Sequence, residues 1–132
     1  MIREIKEFFI RGKRGWAPSD TWSLDAYLSK VIYESLLYLQ KTQCGYPITI
    51  KMSDPNNEYE LHLNKCNWDI LLMKMINAFK LAKEIGEGTR EHYFSHADKQ
   101  TNQTLNCLTK KEERDMKEGM KLFITYYFSL WD

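Results

Sequence analysis

His92 and His96 stand four residues apart. On a helix that spacing puts both imidazoles on one face, as two ligands of one zinc ion would lie. Glu91 and Asp98 flank them. The helical HExxH pattern needs a glutamate directly after its first histidine, and Tyr93 holds that place here. A third ligand would have to come from His62 or a cysteine. A metal-assisted hydrolase is therefore an alternative reading. The simpler expectation is surface histidines in a polar connection, with no metal and no cofactor.

Nucleophilic chemistry has no signature: GxSxG, the P-loop and GxGxxG are all missing. Cys107 precedes a helix start, where a thiolate is favoured electrostatically, and Cys44 precedes Gly45. Neither has a histidine partner in sequence. Cys44, Cys66 and Cys107 are odd in number and widely spaced, which points to reduced thiols in a cytoplasmic protein. Glu112, Glu113 and Asp115 sit among Lys110, Lys111 and Arg114, the pattern of a solvated helix opening. Asp25 and Glu34 lie among apolar neighbours, and Asp25 suits the start of a helix. No catalytic residue is assigned.

Binding residues are easier to nominate. Arg3, Lys6, Arg11, Lys13 and Arg14 outnumber Glu4 and Glu7, and Trp16 follows them. Cations can meet phosphate and a ring can stack on a base, so a nucleic-acid contact would concentrate there. Tyr33 and Tyr38 fall off the main apolar stripe of their helix. They are candidates for a pocket wall or a protein interface.

The elements that must position these groups are mostly helical. Ile2, Ile5, Phe8 and Phe9 share one side of a short helix over 2–11, which Gly12 is expected to end. Ser19 or Asp20 caps a first long helix over 20–41. Its apolar set is Leu24, Tyr27, Leu28, Val31, Ile32, Leu36 and Leu39, read as one buried face. Alternation at 48–52 and 59–63 around Asp54-Pro55-Asn56-Asn57 predicts a small β-hairpin, with an irregular loop as the alternative. Asn64 then caps a second long helix over 65–85, with Trp68, Leu71, Leu72, Met75, Ile76 and Phe79 inward. One short helix fits 90–98. Thr109 and Glu112 have capping-box spacing ahead of a third long helix over 110–128. Trp131 is expected to tie the tail to the core. The predicted fold is mainly α: one domain over 1–132, three long helices bundled together, a short N-terminal helix and the minor hairpin.

Composition sets the bounds. The chain has 132 residues, 43% of them hydrophobic, 14% aromatic and 28% charged, enough for one self-supporting core. A net charge of +1 recruits neither nucleic acid nor membrane by a global field. The longest apolar runs fall well short of the roughly 20 residues of a membrane span, so no membrane partner is expected. The charged start is unlike a signal peptide.

Several segments together carry a resemblance. Arg14-Gly15-Trp16 leads to Asp20-Thr21-Trp22-Ser23-Leu24-Asp25, and Gly45-Tyr46-Pro47 follows. Trp68, Ile70-Leu71 and Met75-Ile76-Asn77-Ala78-Phe79 come next, then Glu118-Gly119-Met120 and the ending Leu130-Trp131-Asp132. The set resembles a group of small proteins encoded by bacteriophages and prophages. It leaves out 48–63 and 86–108, and it brings no catalytic assignment. What it implies is a non-catalytic accessory protein in the host cytoplasm, a binding module that inhibits antiviral defence. Its partner would be a host protein or a small nucleotide signal. The alternatives are a nucleic-acid-associated protein and the hydrolase above, and exposed aromatics also allow a homodimer.

Overall fold

The computed structural model describes residues 1–45, 58–90 and 107–131, with 58–64 as backbone only. It is mainly helical. The first helix, α1 (Ile2–Arg14), has Glu4 in its first turn and Arg11, Lys13 and Arg14 in its last, which complements the helix dipole. It runs through Gly12 and stops at Gly15 instead. Gly15 adopts φ 84°, and its N–H donates to the Arg11 carbonyl at 2.8 Å. The left-handed stop belongs to the glycine that follows the basic turn, not to the one inside it.

A 3₁₀ helix (Pro18–Ser23) opens with proline at its first position and leads into α2 (Leu24–Thr42), with Asp25 in the first turn of α2. The longest element, α3 (Glu58–Gly86), has 29 residues. It starts seven residues before the expected 65, so the predicted strand at 59–63 is helical and Asn64 lies inside the helix rather than capping it. Glu58 and Glu60 suit a helix start. Extending a helix that already holds Trp68 to Phe79 is also easier than forming a marginal strand. The other predicted strand, 48–52, lies outside the described residues, and no strand occurs among those described. The predicted helix at 90–98 is outside them as well. The last α-helix, α4 (Lys110–Thr125), has the expected capping box. Glu112 N–H donates to Thr109 Oγ1 at 3.1 Å, and Thr109 N–H donates to Glu112 Oε1 at 3.2 Å. A 3₁₀ turn (Tyr127–Ser129) replaces its expected final turn.

Both α2 and α4 pack mainly on α3. Leu36, Trp68, Leu72, Met75, Ile76 and Phe79 form the larger buried cluster. Ala78, Leu81, Leu108 and Met116 form a second. The helices come close at small residues. Gly119 of α4 lies against Ala78 and the Lys74 carbonyl, and Gly86 of α3 lies against Ala26 of α2. Across the gap between α3 and α4, one Arg90 guanidinium nitrogen donates to both carboxylate oxygens of Glu112 at 2.8 Å. Among the described residues, no helix is long and apolar enough to cross a membrane.

Candidate docking surface

The basic segment is built as a clasp. Arg11 donates from Nε and Nη2 to the two oxygens of Asp20, at 3.0 and 2.7 Å. The same carboxylate accepts the Ala17 N–H at 2.7 Å. The Arg11 bond and then the Ala17 bond hold the Asp20 carboxyl below its ordinary value, and the bond to Asp20 raises Arg11. Ser19 donates its hydroxyl to Glu7, Arg3 lies over the Trp22 ring at 4.7 Å, and Arg14 lies over Trp16 at 3.8 Å. Tyr27 donates its hydroxyl to the Gly15 carbonyl. Arg3 and Arg11 are therefore engaged within the protein, which breaks up the cationic patch expected from the sequence. Lys6 and Lys13 remain exposed.

The clasp holds the polar side of α1 toward the body. The opposite side, with Ile2, Ile5, Phe8 and Phe9, faces outward, and α1 contains no buried residue.

A second apolar surface lies on α2. Leu24, Leu28, Val31 and Tyr38 are all exposed, Leu28 by 44% and Tyr38 by 71%. Leu24, Leu28 and Val31 correct the reading of the predicted apolar set of α2 as one buried face. Of the set, only Leu36 is fully buried. Beside the stripe runs a groove of about 340 Å³, walled by Val31, Leu36, Tyr38 and Leu39 of α2, Phe123 of α4 and Leu130. Ser35 and Thr42 supply hydroxyls there, and no charged side chain among the described residues lines it. Trp131 does not close the core either. The residue is 70% exposed, and the tail is held by Leu130 packing and by Gln43 Nε2 donating to the Trp131 carbonyl at 3.0 Å.

The two nominated tyrosines part company. Tyr38 lines the groove, whereas Tyr33 packs against the core with Lys83 Nζ 5.4 Å from its ring. His92 and His96 lie outside the described residues, and so does the His62 side chain. Among the described residues, no three His, Cys, Asp or Glu side chains gather where they could hold one ion. Cys44 is exposed, and Cys66 and Cys107 are half-buried. Burial would raise Glu112, but the Thr109 N–H and the Arg90 guanidinium outweigh it and hold that carboxyl low. Glu113, read as part of a solvated face, is buried, 3.8 Å from Lys117.

Ile32, Leu39, Phe123 and Leu130 were not nominated as site residues. A signal was present: at about 100° per residue, the apolar set of α2 spreads over far more than the width of one buried face. A helix with that much apolar surface and, among the described residues, one extensive helix neighbour must leave part of it uncovered. No family model, curated protein or solved structure matches the chain, so the docking surface is defined by its own geometry.

Proposed function

We propose that the protein is a non-catalytic docking module that receives an apolar segment of a host protein in the groove between α2 and the end of α4. The observation that carries this is the exposed stripe of Leu24, Leu28, Val31 and Tyr38 beside a preformed apolar trough. Contiguous exposed apolar surface of this kind marks interaction sites. A groove whose described lining is hydrocarbon, rings and hydroxyls suits a peptide or helix. A phosphorylated nucleotide would find no cation among the described residues of that lining, so protein blocking is favoured over nucleotide capture. The target class in this proposal, a component of host antiviral defence, is taken by analogy from the resemblance to phage-encoded proteins.

The test places a photo-crosslinking residue at Ser35 and exposes the chain to host lysate. One protein should be captured repeatedly, and the capture should vanish when Leu28→Glu and Val31→Glu are combined. Both sites are exposed, so melting should stay within about 1 kcal/mol of the parent. Capture that survives the double substitution, or catalytic turnover by the purified chain, would sink the reading. Salt-sensitive nucleic-acid binding lost in Lys13→Ala with Arg14→Ala would favour the nucleic-acid alternative.

A further inference from the structure

The α1 helix is turned inside out relative to an ordinary surface helix. Its ion-pairing side, with Arg3, Glu7 and Arg11, is held against Trp22, Ser19 and Asp20. Its apolar side faces solvent, with Ile2, Ile5, Phe8 and Phe9 each between 54 and 85% exposed. At about 100° per residue, these four residues cover an arc of about 120°, almost opposite the clasp. Phe8 and Phe9 meet edge to face with ring centroids 5.7 Å apart. The clasp fixes this orientation, because turning the apolar side inward would break the Arg11–Asp20 pair.

Charge selects the occupant. Lys6 and Lys13 fall on one border of the apolar arc and have no ion-pair partner among the described residues. Glu4 and the engaged Arg11 border the other side. An antiparallel pair of α1 helices from two copies would set the lysine border of each against the other, which is repulsive. An anionic surface meets the same border favourably. The arc is a convex ridge, and a fluid lipid interface accepts such a ridge without a matching groove. A cationic, strongly amphipathic helix of low overall hydrophobicity is the form that lies within a membrane interface. Lysines at its border extend their charged ends to headgroups while their stems stay apolar.

We propose that α1 is a peripheral membrane anchor that seats Ile2, Ile5, Phe8 and Phe9 in the interface of an anionic lipid surface, with Lys6 and Lys13 on the headgroups. It uses different residues from the α2 groove. It is also compatible with the lack of a spanning helix among the described residues, since α1 lies in the interface and does not cross it.

The full chain is sedimented with vesicles of phosphatidylcholine alone and of phosphatidylcholine mixed with phosphatidylglycerol. Binding is expected only with the anionic lipid, and it should weaken as salt rises. Phe8→Ser combined with Phe9→Ser should weaken it about tenfold or more. Lys6→Ala and Lys13→Ala should each weaken it about fivefold. All four sites are exposed, so circular dichroism should be unchanged. Failure to bind anionic vesicles, equal binding to neutral ones, or unchanged binding by the phenylalanine double variant would overturn the proposal. So would a dimer in solution that the same phenylalanine substitutions convert to monomer, which would assign the arc to a second copy.

Discussion

Trp68 shows how much one side chain can anchor. It is fully buried, its Nε1 donates to Gln43 Oε1 at 2.7 Å, and its ring meets Tyr126 edge to face at 5.5 Å. Trp68→Ala should therefore destabilise by about 3–5 kcal/mol in a denaturant titration. Leu28→Asp should stay within about 1 kcal/mol, because Leu28 already meets water. Comparable losses in the two variants would contradict the assigned faces. Glycine makes a second contrast. A β-carbon on Gly119 would strike the Ala78 methyl and the Lys74 carbonyl oxygen, and the latter is backbone that cannot swing aside. Gly119→Ala should cost about 1–3 kcal/mol despite the better helix propensity of alanine. Gly12→Ala, with nothing within 4 Å of the added carbon, should stabilise by about 0.5–1 kcal/mol. Equal shifts in melting temperature for the two would remove the close crossing of α3 and α4.

At the scale of elements, the Arg11–Asp20 pair is the bidentate charged link in the clasp that holds α1. The Asp20 carboxyl is held below its ordinary value of 3.8, by Arg11 first and then by the Ala17 N–H. A depressed carboxylate contributes stability that is complete above the unfolded value. That contribution disappears as the pH falls through the lower folded value. The α1 clasp should therefore stay closed at neutral pH and open only in acid, below about pH 4. Tryptophan fluorescence checks this, because Trp16 and Trp22 lie beneath Arg14 and Arg3. Asp20→Asn should show the acid spectrum already at neutral pH. An unchanged neutral spectrum in that variant would contradict the clasp.

At the scale of the whole molecule, legibility followed local chemistry. Thr109 and Glu112 announced the start of α4 because a capping box is complete within four residues. The stripe from Trp68 to Phe79 was legible because α3 is central and its buried face is continuous. The faces of α2 were not. Periodicity shows which residues share a side, but not how many neighbours cover it, and among the described residues α2 has one extensive helix neighbour. The beginning of α3 misled for another reason. Five alternating residues fit a strand locally, and only their continuity with the helix behind them decides between the two states. The docking groove arises from residues nearly a hundred positions apart, Val31 and Leu130 among them, and no local pattern encodes that meeting.

The Arg90–Glu112 bridge has a practical consequence. It ties the exit of one long rod to the entrance of the next through partners 22 positions apart in the chain. Loss of either partner removes the same link, so the effects of the two on stability are shared rather than separate.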